Sequence, residues 1–95
     1  MIARWTGTIP AGRVSDQAWA HWDMLPTLAA LAGAKAPRGI DGVSMARALE
    51  GRPQPGHDFM YWEFHERGFQ QAVRAGTWKA VRPAAGSPLE LYDLA

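Results

Sequence analysis

The sequence predicts a small α+β fold: a short N-terminal strand and two helices, followed by a four-stranded antiparallel sheet. Two observations carry this prediction. Apolar residues recur at helical spacing in the first half of the chain, whereas they alternate at strand spacing in the second half. Short turn signals separate the strand-like segments, which is typical of an antiparallel meander and not of a βαβ unit. At 95 residues the chain has room for one modest core.

The first two elements lie before residue 33. Residues 2–9 alternate loosely and end at Pro10, which predicts a short strand. A helix is predicted over residues 23–32, because Asp23 can cap its N-terminus and Gly33 can end it. The apolar stripe of this helix consists of Leu25, Leu28, Ala29 and Ala32.

A second, shorter helix is predicted over residues 45–50, with Ser44 as its N-cap and Gly51 after its end. A Pro- and Gly-rich connection follows, and the spacing of apolar residues changes there from helical to strand periodicity. We therefore divide the chain into residues 1–56 and residues 57–95.

Four strands are predicted in the second part, over residues 59–65, 70–75, 78–82 and 89–92. Arg67–Gly68 and Gly76–Thr77 are the turns between the first three. Alternation along the first strand predicts two faces. One carries Phe59, Tyr61, Glu63 and His65, and the other carries Met60, Trp62, Phe64 and Glu66.

Composition excludes several classes of function. Hydrophobic residues make up 47% of the chain and charged residues 20%, which predicts a folded protein and not a disordered one. A net charge of +1 and the lack of a nucleic-acid-binding motif argue against a nucleic-acid partner. No apolar stretch is long enough to span a bilayer, so no membrane partner is expected. Without Cys, the chain has no disulfide, thiolate zinc site or cysteine nucleophile.

The densest chemical segment is residues 61–66. Glu63 and His65 project from the same strand face, about 7 Å apart along the chain. This spacing suits a hydrogen-bonded pair or a substrate contact, but an edge strand with a polar outer face would give the same pattern. The three Ser and three His residues show no nucleophile or metal-ligand spacing.

Five segments, in order and at characteristic spacings, carry a family resemblance. They read RWTGTIPAGRVSD at residues 4–16, DMLPTLAALAG at 23–33, DGVS at 41–44 with LEG at 49–51, QAVRAGTWK at 71–79, and LELYDL at 89–94. The series resembles the C-terminal third of the type I sulfatases, the arylsulfatase-like members of the alkaline phosphatase superfamily. It departs from their usual pattern at Thr6, where Pro is usual, and at Thr77, where Asp or Lys is common.

The resemblance implies a fold. Residues 1–56 would be the tail end of the N-terminal α/β domain of a sulfatase, with residues 2–9 as a late strand of its large sheet. Residues 57–95 would be the C-terminal antiparallel-sheet subdomain, truncated. The chain is thus expected to be a fragment that lacks sequence at both ends.

The resemblance also implies sulfuric ester hydrolysis in the intact parent. Such enzymes use a formylglycine made within a C/S-x-P-x-R motif and a divalent metal, usually Ca²⁺, held by Asp and Asn side chains. None of these motifs occurs in the chain. We therefore assign it no catalytic and no metal-binding residue and expect the fragment alone to be inactive. The implied substrate of the parent is a sulfated small molecule or glycan, and no compartment is predicted.

Because the C-terminal sheet of sulfatases contributes to the rim of the substrate pocket, the resemblance implies a substrate-rim role for Trp62, Glu63, His65 and Arg74. Two alternatives remain open. The chain could be a non-enzymatic interaction module that docks onto a partner chain, such as a missing N-terminal segment, since an unpaired strand at residues 2–9 would invite pairing. It could also be a fragment of a related phosphatase or phosphonate hydrolase.

Overall fold

The computed structural model describes residues 1–66 and 68–95. Arg67, half of the predicted Arg67–Gly68 turn, lies outside the described residues. The chain divides into two compact units, Met1–Gly56 and His57–Ala95. The first unit contains helices and loops, and the second contains the sheet.

The first helix is confirmed, with a small difference at its start. A single 3₁₀ turn, His21–Asp23, leads into α1, Met24–Leu31. Gly33 follows the C-cap residue Ala32, and its φ of +68° is accessible to glycine without strain. The amide of Ala34 donates to the carbonyl of Ala29 at 2.8 Å and that of Gly33 to Ala30 at 3.2 Å, which is a Schellman motif.

The second helix, α2, spans Ala46–Leu49 and is shorter than predicted. Its N-cap is Met45, while the hydroxyl of Ser44 accepts only a long 3.4 Å hydrogen bond from the Ala46 amide. Gly51 ends the helix as predicted, with φ +81°. The guanidinium of Arg13 donates to the carbonyl of Ala48 at 2.8 Å and thereby ties the N-terminal loop to the end of α2.

The predicted strand over residues 2–9 does not form. The amides of Thr8 and Ile9 both donate to the carbonyl of Trp5, at 3.0 and 2.8 Å, which closes a turn. Gly7, at φ +82°, allows that turn. The alternating pattern was not sufficient because a strand is stabilised by a paired neighbour, and within the described residues the four strands all lie after residue 59.

The apolar stripe of α1 faces solvent. Leu25 is 56% exposed and Leu28 57% exposed, whereas the buried residues of the helix are Pro26 and Thr27. Burial in this unit therefore centres on the opposite side of α1, against Met45, which is fully buried. Helical spacing predicted the element correctly, but the first unit leaves that face of the helix uncovered.

The second unit is a four-stranded antiparallel meander in the order β1-β2-β3-β4, as predicted. Its strands are β1 Met60–Phe64, β2 Gln70–Ala75, β3 Trp78–Arg82 and β4 Glu90–Asp93. The two-residue turn at Gly76–Thr77 places Ala75 opposite Trp78 and so sets the register of the β2–β3 hairpin. In the described part of the chain, no helix is long and apolar enough to cross a membrane.

Candidate functional site

The four candidate rim residues lie on two faces of the sheet. Glu63 and His65 share one face, and His65 Nε2 lies 3.5 Å from Glu63 Oε2. Trp62 and Arg74 belong to the opposite face, because alternate residues of a strand point to opposite sides and Arg74 pairs with Met60. The structure thus brings Glu63 and His65 together, but it does not gather all four side chains at one point.

Strand pairing adds two residues to the Glu63 face, Gln71 and Arg82, that the alternation along the first strand does not identify. Glu63 lies opposite Gln71, and Gln71 lies opposite Arg82, so one row of polar side chains crosses three strands. Tyr61, two residues before Glu63, stands on the same face. We call this set the Glu63 cluster: Tyr61, Glu63, His65, Gln71 and Arg82.

Hydrogen bonds connect most of the Glu63 cluster. The hydroxyl of Tyr61 donates to Glu63 Oε1. The amide nitrogen of Gln71 donates to the Tyr61 hydroxyl at 2.5 Å and to Glu63 Oε1 at 3.4 Å. Arg82 Nη1 in turn donates to Gln71 Oε1 at 3.3 Å. The carboxylate is therefore held by its neighbours even though the Glu63 side chain is 38% exposed.

The cluster changes the acidity of two of its members. The hydrogen bond from Tyr61 is the main cause that lowers the pKa of Glu63, and Gln71 and His65 add to this effect against the opposing effect of burial. The same bond to the Glu63 carboxylate raises the pKa of Tyr61. Glu63 is thus an ionised acceptor and Tyr61 a neutral donor over the whole neutral range.

An aromatic ring stands beside the cluster. The His65 and Phe69 rings have their centroids 5.0 Å apart and are tilted by 48°. This separation is within the range in which aromatic rings attract each other. His65 is therefore positioned from two sides, by Phe69 and by the Glu63 carboxylate.

The opposite face offers a different arrangement. Arg74 is half-buried, and its Nε donates to the carbonyl of Gly76 at 3.1 Å, so the guanidinium supports the β2–β3 turn. Trp62 is also half-buried, and Met60 beside it is buried. On that face, Tyr92 donates to the carboxylate of Glu90, which repeats the Tyr61–Glu63 pairing.

Among residues 1–66 and 68–95, no three His, Asp or Glu side chains come close enough together to hold a metal ion. The described side chains therefore do not fit the divalent metal that the family resemblance implies, and we derive no reaction step through it.

Comparison with known proteins extends the resemblance along nearly the whole chain. Human arylsulfatase G is 36% identical over 95 aligned positions, which cover 90% of this chain and 18% of the relative. Human steryl-sulfatase is 41% identical over 83% of this chain and 15% of its own length. The chain thus spans less than a fifth of the curated relatives it matches. No protein-family profile matches it.

Solved structures give the same result. A candidate sulfatase from Bacteroides thetaiotaomicron VPI-5482 superimposes with a TM-score of 0.68 at 33% identity, over 76% of this chain and 17% of that structure. A 2-O GAG sulfatase superimposes with a TM-score of 0.65 at 35% identity over the same shares. Sequence and fold agree: the chain belongs to the sulfatase family and corresponds to a small C-terminal part of its members.

Proposed function

We propose that the chain is the C-terminal segment of a sulfuric ester hydrolase and acts only together with the rest of that fold. The observation that carries this proposal is the 36% identity to human arylsulfatase G, which extends over 90% of the chain. The superposition on the candidate sulfatase from Bacteroides, with a TM-score of 0.68, supports it independently. Alternative activities of the superfamily, phosphate or phosphonate hydrolysis, have no such support.

The proposal divides the chemistry between this segment and the remainder of the enzyme. The chain has no Cys and no S-x-P-x-R sequence, so the formylglycine nucleophile would come from elsewhere. The same holds for the ligands of Ca²⁺, given that the described side chains offer no cluster for a metal. The role left for the chain is to complete the fold and to contact the substrate.

An apolar surface in the first unit supports the first of these roles. An open groove of about 540 Å³ is lined by Ile2, Trp5, Trp19, Leu28 and Leu31, among others. Of the lining residues, Leu28 is 57% exposed and Ile2 is 99% exposed. Exposed apolar surface of this kind marks a place where another part of a protein packs. The relatives are five to six times longer than the matched segment, so we propose that their remaining α/β fold covers this groove.

The same surface favours a second candidate function, an interaction module that docks onto a separate chain. The two proposals differ in what covers the groove: the same polypeptide in an intact sulfatase, or a partner that supplies the missing part. Both predict that the isolated 95-residue chain is inactive. They are separated by whether a sulfatase body restores activity when it is supplied as a separate chain.

A chimera tests the enzyme proposal. The matching segment of human arylsulfatase G is replaced by this chain, and hydrolysis of para-nitrophenyl sulfate is measured with Ca²⁺. We expect an active chimera, whereas the isolated chain and a form of arylsulfatase G without that segment should both be inactive. Formylglycine content, read by mass spectrometry, checks that the nucleophile has formed. A folded chimera that contains formylglycine and lacks activity would contradict the proposal, as would metal-dependent turnover by the isolated chain.

A further inference from the structure

We propose that Arg74 and Lys79, which we call the cation pair, bind a carboxylate side chain of the sulfatase body and so join the C-terminal sheet to the rest of the enzyme. The sulfatase body is the part of the fold that the longer relatives contain in addition to the matched segment. The inference rests on the proposed function for the existence of that body. It concerns the second unit alone and does not depend on the groove in the first unit.

Two like charges oppose each other next to the β2–β3 turn. Arg74 on β2 lies directly opposite Lys79 on β3, so both side chains leave the same face of the sheet side by side. Both residues are half-buried. Cations placed opposite each other destabilise a sheet, and partial burial strengthens their repulsion because less water screens it. An anion bound between the two charges would remove this cost.

The acidic side chains of the chain do not compensate the cation pair. In the part of the chain that the structure describes, neither Arg74 nor Lys79 has a carboxylate within ion-pair distance. The Nε of Arg74 donates to the carbonyl of Gly76 at 3.1 Å, which leaves its two terminal nitrogens for another acceptor. Glu90 lies diagonal to Lys79 on the same face, but its carboxylate accepts the hydroxyl of Tyr92.

The chemistry of the cation pair and its surroundings suits a carboxylate on a protein surface. A guanidinium presents parallel N–H donors that match the two oxygens of a carboxylate, and the Lys79 ammonium adds a point charge beside them. Tyr92 lies opposite Lys79 and is 46% exposed, so its ring offers aromatic surface next to the charges. A protein surface can place a carboxylate on the cations and pack against this ring, whereas a free hydrated ion gains nothing from the ring.

The size of the relatives points to the sulfatase body as the source of the carboxylate. The chain covers 18% of human arylsulfatase G and 17% of the superimposed sulfatase from Bacteroides, so most of the fold lies outside it. A surface that docks on the cation pair removes its water, which is favourable only if the surface supplies an anion. A second copy of the chain that met this face about a two-fold axis would instead add two more cations.

Acetate, a soluble carboxylate, tests the cation pair in the 95-residue chain. Nuclear magnetic resonance signals of the Arg74 guanidinium and the Lys79 ammonium are followed while acetate replaces chloride at constant ionic strength. We expect saturable shifts with a dissociation constant of about 10–100 mM, which corresponds to weak binding. Lys79→Gln should weaken acetate binding about fivefold, whereas Lys35→Gln, at an exposed loop position, should leave it unchanged. Shifts that do not saturate, or equal acetate affinity in the wild type and Lys79→Gln, would overturn the proposal.

Lys79→Gln should change stability in opposite directions in the isolated chain and in the arylsulfatase G chimera. In the isolated chain it removes one of two opposed charges, so the midpoint of urea unfolding should rise. In the chimera it removes one of the two partners of the carboxylate, so the unfolding temperature should fall. Lys35→Gln is the control in both settings and should change neither value. A lower stability of Lys79→Gln in both settings would indicate an ordinary structural role and would overturn the proposal, as would an unchanged unfolding temperature of the chimera.

The same measurements separate this proposal from the enzyme proposal and from a substrate contact. A folded chimera without activity would contradict the proposed function alone, because its unfolding temperatures still decide whether the cation pair holds the body. If the chimera does not fold, the acetate titration of the 95-residue chain still decides whether the cation pair binds a carboxylate. In an active chimera, Lys79→Gln could instead raise the KM for para-nitrophenyl sulfate and leave the unfolding temperature unchanged. That result would assign the anion to the substrate and would overturn the proposal.

Discussion

The buried carboxylate of Asp23 accepts a hydrogen bond from the backbone amide of Val43 at 2.9 Å, across 20 residues of chain. Its other oxygen accepts from the amide of Ala20 at 2.8 Å. One side chain therefore joins the segment before α1 to the loop before α2. The hydroxyl of Thr27, one turn along α1, adds a second link, since it accepts from the amide of Met45 at 2.8 Å and donates to the carbonyl of Asp23 at 2.6 Å.

Asp23→Asn tests the importance of this link. The two carboxylate oxygens both accept, whereas an amide offers one acceptor and one donor, so one backbone N–H would face another donor. We expect a loss of about 1–3 kcal/mol in the free energy of unfolding. Thermal or urea unfolding of the chain measures it. Asp16→Asn, at an exposed position, is the matched control, and an equal effect of the two substitutions would contradict the assignment.

Gly42→Ala tests a close approach between the same two segments. A Cβ at Gly42 would lie 2.1 Å from the backbone carbonyl oxygen of Trp22, which cannot move aside as a side chain can. We expect the substitution to cost about 1–3 kcal/mol of stability, as overpacking typically does.

Gly56→Ala is the control for this substitution. Its Cβ would meet only the end of the flexible Gln17 side chain, at 3.1 Å. We expect little change in the midpoint of urea unfolding for Gly56→Ala and a clear decrease for Gly42→Ala. The same midpoint for both variants would show that the approach of Gly42 to Trp22 does not constrain the fold.

Tyr61→Phe tests the coupling within the Glu63 cluster. Loss of the phenol removes the main cause of the lowered Glu63 pKa, so that pKa should rise towards its ordinary value. A carbon-detected titration of the Glu63 carboxyl group measures the change. Tyr92→Phe, which removes the phenol that is paired with Glu90, should leave the pKa of Glu63 unaltered.

The pH dependence of stability follows from the lowered pKa of Glu63 and the raised pKa of Tyr61. The folded-state pKa of Glu63 lies below its unfolded value, so the stabilisation is complete above the unfolded value and is lost as the pH falls through the lowered one. The folded-state pKa of Tyr61 lies above its unfolded value, so its contribution is complete below the ordinary tyrosine value and is lost as the pH rises through the raised one. Tyr61→Phe should reduce the loss of stability that these two groups cause at acidic and at alkaline pH. An unchanged pH dependence of the free energy of unfolding would argue against the coupling.

Leu28→Gln tests what the groove is for. Leu28 lines the groove and is 57% exposed, so a polar side chain should alter the stability of the isolated chain by no more than about 0.5 kcal/mol. In the arylsulfatase G chimera the same change should lower the unfolding temperature and the yield of folded enzyme, because the residue would be buried there. Val14→Gln, at a position that is 90% exposed, is the control. If Leu28→Gln changes the stability of the chimera as little as that of the isolated chain, the groove is not a docking surface.

Local sequence signals were sufficient for the sheet. A two-residue Gly76–Thr77 turn between alternating segments specifies a hairpin, and the observed strands Gln70–Ala75 and Trp78–Arg82 match the predicted limits. Residues 2–9 show that alternation alone does not decide whether a strand forms. Their alternation was compatible with a strand, but pairing requires a neighbour that the sequence pattern cannot supply, and Gly7 allowed a turn instead.

The candidate site could likewise be predicted in part from the sequence. Alternation alone places Glu63 and His65 on one face, and the structure agrees. The family resemblance implies the same rim role for Trp62 and Arg74, although the strand register puts these two on the other face. Gln71 and Arg82 could have been found from the Gly76–Thr77 turn, since it fixes which residues of β2 and β3 are opposite each other. The spacing of Leu25 and Leu28 predicted an apolar face but could not say whether this chain covers it.

The most direct test of the central claim is the specificity constant, kcat/KM, of the arylsulfatase G chimera for para-nitrophenyl sulfate. If the chain is a working C-terminal segment of a sulfatase, the chimera should remain within about a hundredfold of the parent enzyme, a loss of under 3 kcal/mol in transition-state stabilisation. Arylsulfatase G without the segment should show no activity. A folded chimera with a full complement of formylglycine and no activity above that of the truncated enzyme would contradict the account.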